Sequence, residues 1–113
     1  MCNQTTLDLL LKEAGTELSK TFGSKLDSVV LYGSYARGDY NDESDIDVMA
    51  LVDMDKSDLC KYRRTVSSLA NNIDLKYDVL LSIKLQDKST FMKYQNVLPF
   101  YKNILKEGVR VNV

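Results

Sequence analysis

The residues best suited to chemistry are two aspartates, Asp45 and Asp47, two positions apart in a segment of strand character. Because side chains alternate along a strand, both carboxylates are expected on one face, with Cα atoms about 6.5 Å apart. Ile46, Val48 and Ala50 then point to the other face, toward a core. Neighbouring anions repel each other unless water or cations separate them, and oxygen ligands of this kind suit Mg²⁺ or Mn²⁺. The pair therefore indicates a site for divalent cations.

A possible phosphate-binding turn precedes the aspartates. The apolar segment Ser28–Tyr32 predicts a short buried strand, and Gly33 ends it. Glycine lets the backbone approach an anion closely, and Ser34 adds a hydroxyl group at the start of a helical turn with free N–H groups. A Gly-Ser pair by itself is common in ordinary turns. Its position, with ten residues between Ser34 and Asp45, makes the combination far more specific.

Arg37 follows Ser34 by one helical turn, and two uses for it remain open. Its guanidinium could bind phosphate, or it could pair with a nearby carboxylate. The acidic candidates are Asp45, Asp42 and Glu43.

Two other motifs fail on inspection. Gly33 and Gly38 match the glycine spacing of a P-loop, but Asp39-Tyr40 replaces the required Lys-Ser/Thr. An EF-hand loop starting at Asp39 would have Ser44 in place of glycine and Ala50 in place of the bidentate glutamate. The chain also contains no histidine, which excludes histidine-based triads and histidine metal sites.

The composition predicts one domain over residues 1–113. Fifteen Lys and Arg residues against sixteen Asp and Glu residues give a net charge of -1, which argues against direct nucleic-acid binding. No apolar run approaches the roughly 20 residues that span a bilayer. The two cysteines, Cys2 and Cys60, do not form a CxxC pair, and a reduced cytoplasmic compartment is the simplest interpretation. Cys60 is expected to be a buried small apolar residue of a helix.

The elements that position these residues follow from periodicity. Apolar spacing predicts a helix from Thr5 to Phe22, with Thr5 and Asp8 as a capping box. A strand is predicted from Asp45 to Val52, and a helix from Lys56 to Asn72 with Asp55 or Ser57 as its cap. The remaining elements are predicted as follows: a strand over Leu75–Leu85, helices over Ser89–Val97 and from Pro99 to Gly108, and an edge strand over Val109–Val113. This order predicts an α/β (α+β) fold with a short mixed sheet flanked by helices.

At this point the residues resemble a known family. Gly-Ser-x10-Asp-x-Asp is similar to the signature of the nucleotidyltransferase superfamily that includes DNA polymerase beta. The chain length, the string GSYARGDYNDESDIDV and the C-terminal stretch LPFYKNILKEG resemble the minimal nucleotidyltransferases (MNT), the antitoxins paired with HEPN toxins. A third carboxylate comes from a later strand in that family. Asp78 is the natural match, and Asp74 is the reserve candidate.

The resemblance implies a reaction and its participants. AMP would pass from ATP to an acceptor hydroxyl, with release of pyrophosphate. Asp45, Asp47 and Asp78 would hold two Mg²⁺ ions, about 3.5–4 Å apart, with Mn²⁺ as a substitute. Asp78 would also receive the acceptor proton, and Gly33, Ser34 and Arg37 would bind the phosphates. The acceptor would be a tyrosine hydroxyl on a HEPN ribonuclease toxin that forms a hetero-oligomer with this chain.

Two other classes of function remain open. The chain could neutralise the toxin by binding alone, with catalysis dispensable. It could also modify the hydroxyl of a small molecule, although such enzymes carry an additional helical domain for which 113 residues leave no room. A template-independent polymerase is disfavoured because no basic stripe is present to hold a strand.

Overall fold

The structure, a computed structural model, describes residues 3–41 and 44–111. Its strands form one mixed sheet in the order β3-β2-β1-β4, in which β2 is antiparallel to β1 and parallel to β3. The strands are β1 (Leu26–Tyr32), β2 (Ile46–Val52), β3 (Leu81–Asp87) and β4 (Val109–Arg110). The helices are α1 (Gln4–Phe22), α2 (Ser34–Arg37), α3 (Lys56–Leu59), α4 (Arg63–Tyr77), α5 (Lys88–Tyr94) and α6 (Pro99–Glu107). The predicted α/β class and mixed sheet are therefore confirmed.

The two faces of the sheet are covered by different helices. Ile46, Val48 and Ala50 of β2 belong to the main core, which they form with apolar residues of α1 and α4. Met49 and Leu51 of β2 face the opposite way, into a smaller cluster under α5 and α6. This alternation is the period of a strand buried on both faces, and it puts Asp47 on the α5–α6 face.

Helix α1 forms because its apolar residues recur at helical spacing. Leu7, Leu10 and Leu18 are all buried, and the helix ends before Gly23, as predicted. The predicted capping box is wrong. The helix starts earlier, and the side chain of Asn3, two residues before Thr5, caps it by accepting a hydrogen bond from the Thr6 N–H at 2.8 Å.

The predicted helix Lys56–Asn72 is in fact two helices. Helix α3 is followed by a 3₁₀ turn, Cys60–Tyr62, and α4 then continues to Tyr77. Asp55 stands at the N-cap of α3 without a side-chain capping hydrogen bond. Cys60 is exposed, contrary to the expectation, because the 3₁₀ turn rotates it away from the apolar face.

The predicted strand Leu75–Leu85 starts too early. Leu75 and Tyr77 belong to α4, and Asp78 ends that helix in the left-handed conformation with φ 54°. Strand β3 begins only at Leu81. The error arises because the helix end and the strand start form one aliphatic run in the sequence. None of the helices in the described part of the chain has the length and hydropathy needed to cross a bilayer.

Candidate active site

The turn after β1 lies against the carboxylate of Asp47 in β2. Gly33 has φ 75°, a conformation that side chains disfavour, and it leads directly into α2. A Cβ atom placed on Gly33 would lie 2.6 Å from Oδ2 of Asp47. Glycine is therefore required here both by backbone conformation and by space. The predicted phosphate turn and the predicted cation ligand are brought together, although fourteen positions separate them in the chain.

Asp45 and Asp47 form a carboxylate pair at the start of β2. Asp45 is exposed and Asp47 is half-buried. Burial raises the pKa of Asp47 above its usual value, the charge of Asp45 raises it further, and the charge of Arg37 partly opposes both. No Lys or Arg among the described residues forms an ion pair with either carboxylate. Since two repelling anions have no cation partner here, the pair is suited to bind an external cation.

The donor set of this site fits a magnesium ion that also binds substrate. Within residues 3–41 and 44–111, no third carboxylate, cysteine or histidine joins the two aspartates in a group able to enclose a metal. Mg²⁺ is commonly held by one or two carboxylates, with substrate phosphates and water completing its shell. Asp45 and Asp47 can supply the carboxylates, and the Gly33 turn lies next to Asp47.

The two candidates for a third carboxylate lie outside the sheet. Asp78 is exposed at the C-terminus of α4, rather than on a strand as predicted. Asp74 lies in the last turn of α4, and its Oδ1 accepts a hydrogen bond from the Leu81 N–H at 2.7 Å. The residue of β3 that pairs with Asp47 is Ser82. Through its hydrogen bond with the Leu81 N–H, Asp74 holds the first residue of β3 in place.

Arg37 pairs with carboxylates other than those expected. Its Nε lies 3.2 Å from Asp39 Oδ2, and its Nη1 lies 3.6 Å from Glu107 Oε2 at the end of α6. It forms no ion pair with Asp45, and the other two candidates, Asp42 and Glu43, lie outside the described residues. Both observed pairs are exposed, so each contributes little to stability. Arg37 can therefore exchange them for phosphate at low cost.

Aromatic residues border the carboxylates on the α6 side. Tyr32 pairs with Asp47 in the register of the sheet, and burial, followed by the Asp47 charge, raises the pKa of the Tyr32 phenol. The Phe100 ring packs edge-on against Tyr32, with ring centroids 5.8 Å apart. On the other side of the turn, Tyr35 and Tyr40 stack on each other at 4.1 Å. The sequence predicted none of these contacts, since each joins residues whose proximity depends on the tertiary fold.

Most of the sequence matches a known protein family. The pattern described as "Polymerase beta, Nucleotidyltransferase" matches residues 16–112. The chain belongs to the polymerase beta nucleotidyltransferase family. The resemblance to the superfamily that includes DNA polymerase beta is thereby confirmed, and the contact between the Gly33 turn and Asp47 lies within the matched region.

Two curated relatives of this nucleotidyltransferase come from Methanocaldococcus jannaschii. "Putative protein adenylyltransferase MJ0604" is 34% identical over 98 residues, which cover 87% of this chain and 90% of the relative. "Putative protein adenylyltransferase MJ0141" is 42% identical over 73 residues, or 65% of this chain and 72% of the relative.

Solved structures share the nucleotidyltransferase fold at low sequence identity. A putative nucleotidyltransferase from Sulfolobus solfataricus is 24% identical, with a TM-score of 0.65 over 95% of this chain and 80% of that one. A chain of a toxin–antitoxin complex with AMP-PNP is 19% identical, with a TM-score of 0.52 over 89% of this chain and 72% of that one. These likenesses establish the architecture.

Proposed function

We propose that this chain, acting as a single minimal domain over residues 1–113, transfers AMP from ATP to a hydroxyl group of a partner protein. The acceptor is a tyrosine of a HEPN ribonuclease toxin, which the modification neutralises. The two proteins form a hetero-oligomer in the cytoplasm. Mg²⁺ is the expected metal, and Mn²⁺ can replace it.

One observation carries the transferase proposal: the Gly33 turn touches the carboxylate of Asp47, beside Asp45. This contact supports the proposal, because it puts the proposed phosphate-binding turn next to the proposed cation ligands. Transfer to protein is supported by the curated relative named as a protein adenylyltransferase, which aligns over 87% of this chain. The toxin partner rests on the resemblance of the sequence to MNT antitoxins, and the shared fold of a toxin–antitoxin chain is compatible with it.

The chemistry assigns a task to each residue. Ser34 and the N–H groups of its turn bind the terminal phosphates, and Arg37 moves from Glu107 to the same phosphates. Asp45 and Asp47 hold the divalent cations, which when bound neutralise phosphate charge and lower the pKa of the acceptor hydroxyl. The hydroxyl oxygen forms a bond to the α-phosphorus, the bond to the β-phosphate oxygen breaks, and pyrophosphate leaves. Asp78 accepts the hydroxyl proton.

The first test uses ATP labelled at the α-phosphate, with Mg²⁺ and a lysate of the source cell. We expect one protein band to take up label, and we expect Asp45→Asn and Asp47→Asn to abolish that uptake. The matched control is Asp53→Asn, which removes an exposed aspartate just beyond the other end of β2. Labelling that survives in both Asn variants would show that the cation ligands are assigned wrongly.

A binding-only antitoxin would give a different result. In that case the chain would co-purify with one protein, no band would be labelled, and Asp47→Asn would still neutralise the toxin. Labelling of a small molecule, with no labelled protein, would instead favour the third class of function.

The third carboxylate can be identified by comparing two variants. We expect Asp78→Asn to abolish transfer and leave the melting temperature almost unchanged, because Asp78 is exposed. Asp74→Asn should retain activity in whatever fraction stays folded, since its carboxylate bonds to the Leu81 N–H. The reverse pattern of activity would assign Asp74 in place of Asp78.

A further inference from the structure

Lys84 of β3 lies on the same face of the sheet as Asp47. Asp47 pairs with Ser82, and Met49 pairs with Lys84. Lys84 therefore lies on the neighbouring strand, two residues beyond the partner of Asp47. Strand spacing and residue rise place the Cα atoms of Asp47 and Lys84 about 8 Å apart. An extended lysine side chain bridges most of that distance, so its ammonium can reach a group bound at Asp47.

The ammonium of Lys84 has no carboxylate partner in the described part of the chain. Instead it lies 4.8 Å from the centroid of the Phe100 ring, and the side chain is exposed. A cation–π contact at an exposed position contributes only about 0.5–1 kcal/mol. Lys84 is therefore a cation held close to the site by a weak contact that a phosphate oxygen can displace.

Phe100 ties this lysine to the carboxylates. Its ring contacts Tyr32 in β1 and Lys84 in β3, so it crosses β2 close to Asp47. Gly33 and Ser34 follow β1, whereas Lys84 lies on β3, which flanks β2 on the opposite side. If the terminal phosphates of ATP bind at the Ser34 turn, the α-phosphate at the other end of the triphosphate would lie on the Lys84 side of Asp47.

We propose that Lys84 binds the α-phosphate of the nucleotide, donating a hydrogen bond from its ammonium to a non-bridging oxygen. This inference rests on the proposed function. Lys84 leaves the Phe100 ring when ATP binds and returns to it when pyrophosphate has left and AMP is on the acceptor. Because it binds an oxygen of the phosphate that reacts, its charge acts on the transfer step as well as on binding.

The first experiment measures binding, which does not require the acceptor. The dissociation constant of the α,β-methylene analogue of ATP is measured by calorimetry with Mg²⁺ for the full chain. We expect Lys84→Met to weaken binding about tenfold, as expected for loss of one charge-assisted hydrogen bond in a partly exposed site, and Lys84→Arg to restore most of it. The control is Lys93→Met, since Lys93 also lies over an aromatic ring, that of Tyr94, at 5.4 Å.

Equal binding by the wild-type chain and Lys84→Met would overturn the proposal, as would an equal loss in Lys93→Met. The second experiment measures label uptake by the acceptor band at saturating ATP. We expect the maximal rate to fall in Lys84→Met. A higher KM with an unchanged maximal rate would place Lys84 on a phosphate that does not react, and would overturn the assignment to the α-phosphate. Absence of label with the wild-type chain would count against the proposed function, while the binding result would still decide the role of Lys84.

Discussion

At the scale of single residues, the site depends on how closely Gly33 approaches Asp47. The chain has another glycine with positive φ near the site, Gly38 at φ 83°, but a Cβ atom there would meet nothing within 4 Å. Both glycines have a positive φ, but Gly38 has ψ 9° in the left-handed helical region, whereas Gly33 has ψ -154°, in a region that essentially only glycine adopts. Substitutions at the two positions therefore differ both in backbone strain and in whether a carboxylate must move.

We expect Gly38→Ala to lower stability by about 1–2 kcal/mol, because alanine disfavours positive φ. Gly33→Ala should lower it by more, because its backbone conformation is nearly exclusive to glycine and its methyl group would overlap the Asp47 carboxylate. Only Gly33→Ala should also abolish nucleotidyl transfer, since its methyl group would displace Oδ2 of Asp47. Thermal denaturation and label uptake test both statements. Equal activity in the two variants would mean that the contact with Asp47 is unimportant for the reaction.

Individual residues differ in how far the sequence could predict them. Asp45, Asp47, Gly33 and Ser34 were accessible because their types and spacing are local properties of the chain. Lys84 was not, because its place beside Asp47 depends on the register between β2 and β3. The sequence predicts that this strand starts at Leu75, whereas β3 starts at Leu81, and the pairing of β3 with β2 cannot be derived from a wrong starting residue.

At the scale of elements, helix α5 depends on Asp87 for its N-terminus. Asp87 ends β3 and caps α5 by accepting a hydrogen bond from the Thr90 N–H at 2.9 Å. Burial alone would raise the pKa of Asp87, but hydrogen bonds from Thr90 and from the backbone of Asp87, together with the charge of Lys56, outweigh it and lower the pKa. A carboxyl group with a lowered pKa stabilises the fold above the pKa of the unfolded chain, near 4, and loses that contribution as the pH falls through the folded value.

We expect Asp87→Ala to lower the free energy of unfolding by about 1–2 kcal/mol at pH 7, the usual cost of a lost cap. Asp87→Asn keeps an oxygen acceptor and should retain most of that stability. Below pH 4 the difference between Asp87→Asn and the wild-type chain should shrink. Denaturant unfolding at several pH values measures these differences, and an Asp87→Ala variant as stable as wild type would argue against the cap.

Elements were predictable where one periodicity ran without interruption. Helix α1 and strand β2 were predicted within one or two residues for this reason. The boundary between α4 and β3 was not, because Leu75 is 85% exposed and Leu80 is 63% exposed. Apolar residues that are not buried extend the apparent strand into the helix.

At the scale of the whole molecule, the site reduces the stability of the fold that holds it. Burial and the charge of Asp45 raise the pKa of Asp47, so the ionised form of Asp47 is disfavoured in the folded chain. The fold consequently loses stability as the pH rises through this raised pKa. Catalytic sites often carry such a cost.

We expect Asp47→Asn to raise the melting temperature at pH 7 in EDTA, because it removes an ionised carboxylate that is half-buried beside another. Adding Mg²⁺ and the ATP analogue should stabilise the wild-type chain, by about 2.7 kcal/mol at a ligand concentration one hundred times the dissociation constant. The stability of Asp47→Asn should not change when the same ligands are added. Calorimetry with and without ligand tests this, with Asp53→Asn as the control. A melting temperature of Asp47→Asn below that of wild type in EDTA would contradict the prediction.

The pairing of β4 with β1 has a consequence for biosynthesis. Val30 of β1 pairs with Arg110, about eighty residues later in the chain. At typical ribosomal rates, the outer edge of β1 waits several seconds for its partner strand. An unpaired edge of this kind can associate with other nascent chains or recruit a chaperone. Strand β4, two residues long, therefore protects this edge only after the chain has been translated as far as Arg110.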